Sequence, residues 1–296
     1  MPAYNAEATI ADSITSLIAQ TYRDWRLTVL DDGSTDRTAE ICSALARKDS
    51  RIKLVQLEHQ GLCNALNHGL RIAETPLVGR LDSDDLCQPT RLEKQIGFLT
   101  ANPEVKVLGT WGRRINNAGE ALSNMRIGPI SREDYWRHRE RKEPIFFIHS
   151  SVIADRPTLL SFGGYRTDDY PAEDVWLWTR IAQHHLVLTL PEDLVGYRIT
   201  GGGISDANFF RQHIQMARLR YSLEKGRWIG TEDFQVICKK QPLRRIELYR
   251  DYLHRYWFRK GAGYFFNGRR ATGSWYLVLS AVLDPRKVLR RALTRL

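Results

Sequence analysis

The sequence predicts an α/β protein followed by a basic helical region, and three observations carry that prediction. Short apolar runs alternate with stretches of helical periodicity as far as about residue 205. Aspartate clusters directly follow two of those runs, DD at 31–32 and DSDD at 82–85. Beyond residue 205 the pattern turns helical and the balance of charge changes sign.

Each element follows from local pattern. Ile10, Ile14, Leu17 and Ile18 recur at helical spacing, and RLTVL at 26–30 reads as a buried strand. In the following DDGSTDRT, Ser34, Thr35 and Asp36 are helix-cap candidates, and Ile41, Cys42 and Leu45 give the next helix its apolar stripe. IKLVQL at 52–57 is again a strand, Leu62, Leu66, Gly69, Leu70 and Ala73 share a helical face, and PLVGRL at 76–81 is the next strand. Such alternation predicts a parallel sheet covered on both faces. A helix over 90–101, the strand VKVLGTW, and then IFFIHSSVIA, EDVWLWTRIAQ, LVLTL and LVGYRI complete an α/β domain expected over residues 1–205.

Residues 206–296 form the basic, mainly helical region. Within it, WFRKGAGYFFNGRRATGSWYLVLSAVLDP places small residues, aromatics and a terminal Asp-Pro as a tetratricopeptide-like helix pair does. One such unit makes a hairpin rather than a solenoid, expected to pack on the α/β domain or on a membrane surface.

Composition narrows the setting. A chain of 296 residues with 43% hydrophobic content buries a sizeable core. Cys42, Cys63, Cys87 and Cys238 are widely spaced with no CxxC pair, and no secretory apolar segment opens the chain, which points to a reducing, cytoplasmic setting. The net charge of +10 is uneven, with 24 Lys/Arg against 28 Asp/Glu in residues 1–210 and 20 against 6 in 211–296. A basic region of that kind suits an anionic surface. The short WYLVLSAVL at 275–283 falls well below the roughly 20 apolar residues a membrane span needs.

The aspartates carry the chemistry. Ligands of open α/β sheets bind at the carboxyl ends of strands, where both clusters fall. DDGSTD alone reads equally well as a capped turn. Asp82, Asp84 and Asp85 do not, since unpaired carboxylates behind a buried strand are costly. They suit a hard divalent ion, Mg²⁺ or Mn²⁺, held by one or two carboxylates together with substrate phosphate oxygens. Glu173 and Asp174 open an amphipathic helix; the macrodipole favours them there in any case, yet a carboxylate facing a leaving group can serve as general base.

PAYNAE at 2–7, DDGSTDRT at 31–38, GLCNALNHGL at 61–70, RLDSDD at 80–85, ED followed by LW at 173–178 and YRITGG at 197–202 together resemble glycosyltransferase family 2, the inverting GT-A enzymes, over residues 1 to about 205. The resemblance implies a GT-A fold with a Rossmann-like mixed sheet, and transfer of a sugar from a nucleotide-diphosphate donor, usually a uridine one, to a hydroxyl acceptor with inversion. It implies that Pro2, Ala3 and Tyr4 flank the nucleotide, that Asp32 binds the base and that Arg80 lies near the diphosphate or base. Asp82 and Asp84 match the DxD element, Asp85 is an alternative metal ligand, and Asp174 is the catalytic base. His149, in FFIHSSVI, matches a segment on the acceptor side, though a lone histidine is more often structural. Glu173 is a further substrate contact, Trp178 fits a core position, and Trp176 is free to face an acceptor sugar.

Two features depart from the family pattern. An apolar strand normally precedes PAYN, so an upstream start is expected, and Thr200 stands where many relatives carry a histidine that touches metal or diphosphate. The expected partners are a UDP-sugar and a saccharide or lipid-linked saccharide acceptor in cell-surface polysaccharide or glycolipid synthesis. Peripheral attachment to the inner membrane face through the basic region is expected as well. Two competing readings are a metal-dependent nucleotidyltransferase and a non-enzymatic nucleic-acid-binding protein. The first wants a glycine-rich basic loop that PAYNAEATI lacks, and the second leaves the aspartates unexplained, so nucleic acid is not an expected partner.

Overall fold

A computed structural model of the chain describes residues 1–199, 208–266 and 270–283. It divides into two compact units, Met1–Ala207 and Asn208–Leu296.

The first unit opens as the alternation predicts. β1 (Pro2–Ala3), α1 (Ile10–Ile18), β2 (Leu27–Asp31), α2 (Thr38–Ala46) and β3 (Ile52–Gln56) build a three-stranded sheet in the order β1-β2-β3. Both pairings are parallel. Ahead of Pro2, Met1 already joins the ladder, its carbonyl accepting from the Leu30 N–H and its amino group donating to Thr28 O. Ile10, Ile14 and Leu17 bury the predicted face of α1 in a core with Met1, Val29, Cys42 and Leu81.

The second sheet departs from the all-parallel expectation. It is built from β4 (Leu77–Gly79), β5 (Leu86–Cys87), β6 (Val105–Ile115), β7 (Ala121–Met125), β8 (Ile153–Asp155) and β9 (Leu186–Arg198). Their order is β4-β8-β6-β9-β5, with β7 on β6, and only β6 and β9 run parallel. The physical reason lies in the connections. Parallel neighbours need a crossover, whereas β5, β7 and β8 arrive through short or irregular segments that allow antiparallel pairing. LVLTL and LVGYRI, expected as two strands, form the single β9. The ladder with β6 slips between Leu190 and Asp193, around Pro191, which has no N–H to give it.

α3 (Leu62–Ile72), α4 (Arg91–Ala101), α5 (Arg132–Glu140), α6 (Arg156–Ser161) and α7 (Glu173–Ala182) complete the unit. Its larger core gathers Val107, Leu108, Phe147, Leu177 and Ile181 around Trp178, which is fully buried. Phe147 meets Trp178 edge to face at 6.3 Å.

The second unit is helical among its described residues, with α8 (Phe209–Lys225), α9 (Thr231–Lys240), α10 (Pro242–Phe266) and α11 (Arg270–Leu283). Tyr221, Ile229 and Phe234 form a small core, and α10 packs along α11 as the expected hairpin.

Candidate active site

β4 delivers the chain to Arg80 at the start of the aspartate loop, and Arg80 organises that loop. Its Nη2 donates to Asp82 Oδ1 at 2.6 Å and approaches His149 Nδ1 at 3.4 Å. Nε and Nη1 are buried with no protein partner. Asp82 is held from the other side by Ser150, whose hydroxyl accepts the Asp82 N–H at 3.0 Å and donates to Oδ2 at 2.9 Å. Ser150 comes from a 3₁₀ turn, His149–Ser151. Burial pushes the Asp82 carboxyl up, and the Arg80 charge, His149 and the hydrogen bonds from Arg80 and Ser150 together outweigh it, holding the group below its ordinary carboxylate value.

His149 is half-buried by surface, and desolvation followed by the Arg80 charge pushes its pKa well down, so the ring is neutral. An arginine cannot accept, hence Nδ1 accepts from Arg80 and Nε2 donates to the Tyr165 hydroxyl 3.0 Å away. Asn67 pins Tyr165 in turn, donating to its carbonyl at 2.7 Å and accepting its N–H at 2.9 Å. Gly164 permits that approach. Its φ is +63°, and a Cβ there would stand 2.3 Å from Asn67 Oδ1.

The remaining carboxyls feel burial and each other. Asp84 is pushed up to about 6, by burial first and then by Asp82. Asp85, 0% exposed, is driven well above its ordinary value for the same reasons. Asp85 is enclosed, and its Oδ1 accepts the Arg198 N–H at 2.8 Å while Oδ2 has no hydrogen-bond partner among the described residues. Arg198, at the end of β9, also donates through Nε to Asp84 O at 2.7 Å and through Nη1 to the carbonyls of Asn116 and Asn117. It thereby fixes the loop backbone that carries Asp84. Thr200 lies outside the described residues.

Among the described residues no three His, Cys, Asp or Glu side chains converge into a protein-only metal cage. The donor set fits a hard ion that takes one or two carboxylates and completes its shell with phosphate and water. Asp84 is raised by burial first and by Asp82 second, and a cation between the two carboxyls would oppose both.

At the start of α7, Glu173 is buried and pushed up to about 8, by burial first and Asp174 second. Asp174 is half-buried and pushed up to about 6, mainly by burial, while the Val175 N–H and Arg80 pull the other way. Both carboxyls of the pair are thus raised, with burial the leading cause for each. Both sense Arg80 and Asp82, which places them at the same site as the aspartate loop. Trp176 is 2% exposed, buried much as Trp178 is, and does not present the open face expected for stacking on a sugar. Residues 176 and 178 both turn inward because nearly all of α7 is enclosed.

The residues expected to flank the nucleotide lie at and just after β1. Pro2 and Ala3 are buried in β1, and Tyr4 emerges with its ring stacked on His59, centroids 4.3 Å apart. Asp32 is buried and accepts the N–H groups of Gln60 at 3.0 Å and Gly61 at 2.9 Å, so it anchors the loop carrying His59. Gly33, at φ +73°, keeps this turn close, since a Cβ there would meet His59 N at 3.0 Å. Asp31 and Asp36 serve the turn and helix, accepting from Ser34 N and Thr38 N. His59, Ser150, Tyr165 and Arg198 are the site residues that local pattern does not single out. Arg198 lies within the YRIT motif, whose exchange at position 200 is the more conspicuous feature.

Comparison with known proteins agrees with this geometry. Residues 1–158 match Glycosyl transferase family 2. The chain is 31% identical to the E. coli UDP-Glc:alpha-D-GlcNAc-diphosphoundecaprenol beta-1,3-glucosyltransferase WfgD over 71% of this chain and 79% of that protein. It is 29% identical to the Erwinia amylovora amylovoran biosynthesis glycosyltransferase AmsE over 79% of this chain and 89% of that one. Among solved structures, the Pyrobaculum calidifontis mannosyltransferase PcManGT in complex with GDP-Man and Mn²⁺ superposes with a TM-score of 0.58 at 19% identity, covering 97% of this chain and 86% of its own. That likeness carries the fold, a GT-A glycosyltransferase fold. The nucleotidyltransferase and nucleic-acid-binding readings find no support. With the DxD loop, the paired carboxyls of α7 and the family match in agreement, the chain belongs to glycosyl transferase family 2.

Proposed function

We propose that this glycosyltransferase moves a sugar from a nucleotide-diphosphate donor to a hydroxyl acceptor in one inverting displacement, with Asp174 as the base. The observation that carries the assignment is the placement of the Glu173–Asp174 pair, Asp174 half-buried at the start of α7, within electrostatic reach of the Arg80–Asp82 pair. Asp174, the less buried of the two, takes the proton of the attacking hydroxyl, while Glu173, enclosed beside it, contacts acceptor oxygens. Arg80 offers its two unpartnered N–H-bearing nitrogens to the diphosphate. Asp82 and Asp84 hold a divalent ion, which when bound neutralises charge growing on the leaving diphosphate. Pro2, Ala3 and the Tyr4–His59 stack flank the base, with Asp32 fixing the His59 loop. His149, through Tyr165, shapes the acceptor side.

The name of WfgD, with UDP-Glc as donor and a diphosphoundecaprenol-linked acceptor, and that of AmsE, with amylovoran biosynthesis, favour a UDP-sugar and a saccharide or lipid-linked acceptor in polysaccharide synthesis. The ion is Mg²⁺ or Mn²⁺; the PcManGT complex holds Mn²⁺. No helix among the described residues is long and apolar enough to cross a membrane, and the reading places the enzyme at the cytoplasmic face. Nucleotide release from a panel of UDP- and GDP-sugars, with Mg²⁺ or Mn²⁺ and with chelator, tests it. Release from one donor that stops on chelation is expected; no release from any donor overturns the reading.

A further inference from the structure

We propose that the hairpin of α10 and α11 docks on an anionic phospholipid surface through apolar stripes that nothing in the described protein covers. The two helices use their inner faces on each other. His254, fully buried on α10, meets Ser280 Oγ of α11 at 2.9 Å, and Trp257 stacks on Tyr276 with centroids 5.3 Å apart. Other faces remain outside. On α10, Leu243 (76% exposed), Ile246 (63%) and Leu253 lie at i, i+3 and i+10, one side of a helix. On α11, Trp275 (63%), Val278 and Val282 (78%) lie at i, i+3 and i+7. An open groove of about 410 Å³ joins the helices, lined by Ile246, Tyr249, Arg250, Leu253 and Leu283.

Large apolar side chains aligned along helices and left in water mark an interaction surface. Charge selects the partner. Residues 208–296 carry 20 Lys/Arg against 6 Asp/Glu, while residues 271–283 carry none of either sign. A bare apolar helix within a strongly basic unit is the composition of a segment that lies in the membrane interface, hydrocarbon below and anionic headgroups around it. The exposed Trp275 suits the headgroup level. Among the described residues neither helix is long and apolar enough to cross a bilayer, so the proposed contact is with its surface. A second copy would bring the same positive charge against itself, and nucleic acid offers no hydrocarbon for the stripes. The inference goes beyond glycosyl transfer and stands on this unit alone.

Co-sedimentation of the full chain with phosphatidylcholine vesicles, with and without phosphatidylglycerol, decides it. The wild type is expected to sediment with the anionic vesicles, to do so less as salt rises, and to stay in solution with phosphatidylcholine alone. Ile246→Asp combined with Val282→Asp, both exposed positions, should weaken binding about tenfold or more with an unchanged circular dichroism spectrum. If the acidic pair perturbs the spectrum, Ile246→Ser with Val282→Ser replaces it and should weaken binding in the same direction. No sedimentation of the wild type, equal sedimentation with neutral vesicles, or full binding by the variants overturns the proposal. So does a dimer, detected by light scattering, that the same variants dissolve, since a second copy would then occupy the face. Nucleotide release measured without vesicles reports on the transfer reading separately, so either can fail alone.

Discussion

Arg80 commits one nitrogen to Asp82 and His149 and leaves two buried without partners, so Asp82 and Asp84, two residues apart, have opposite standing in the fold. Asp82 neutralises a buried guanidinium, and Asp82→Ala should destabilise the protein by about 3 kcal/mol or more as well as remove activity. Asp84 is the reverse case. Its folded value of about 6 lies above the ordinary 3.8, so its contribution to stability is fully present below 3.8 and is lost as pH rises through 6. Asp84→Asn should therefore abolish most transfer while leaving the melting temperature at pH 8 unchanged or higher; a large fall in stability would show that Asp84 serves the core. The DxD pattern was legible because three aspartates behind an apolar run have no packing explanation. Ser150, Tyr165 and Arg198 were not, because each reaches the loop from about 68 to 114 positions away, and only tertiary structure brings them together.

At the scale of elements, α4 underpins the site from behind. Arg91 donates through Nη2 to Arg80 O at 2.9 Å and through Nε to Gln95 Oε1, while Gln95 Nε2 donates to Leu108 O at 2.9 Å and to Ser151 O at 2.8 Å. One helix face thus ties the end of β4, the middle of β6 and the 3₁₀ turn behind Asp82. Gln95→Leu keeps the volume, strands two buried carbonyls and leaves Arg91 Nε without its acceptor, at a cost of about 2 kcal/mol or more. Chemical denaturation checks it, with an unchanged midpoint as the contrary result. Helices α1, α3, α4 and α7 were readable from apolar spacing. The mixed second sheet was not, because strands as short as β4, β5 and β8 carry too few residues to specify a partner, and direction depends on connections that pattern does not reveal. β9 misled in the same way, since Pro191 reads as a break and is accommodated as a bulge.

At the scale of the whole molecule, the change of charge along the chain divides an acidic catalytic unit from a basic helical one, and that division was visible in composition alone. What composition could not supply was the burial that raises both neighbouring carboxyls at the start of α7. If Asp174 is the base, turnover should rise with pH as its carboxyl, raised mainly by burial, loses its proton. The measurement that tests this most directly pairs donor binding by calorimetry with turnover across pH, for the wild type and Asp174→Asn. A base at Asp174 predicts a wild-type acid limb near pH 6 and a variant that binds donor within a few-fold of wild type yet turns over about 10²-fold more slowly or worse. A variant with near wild-type turnover, or one that loses donor affinity in parallel with rate, would contradict the assignment.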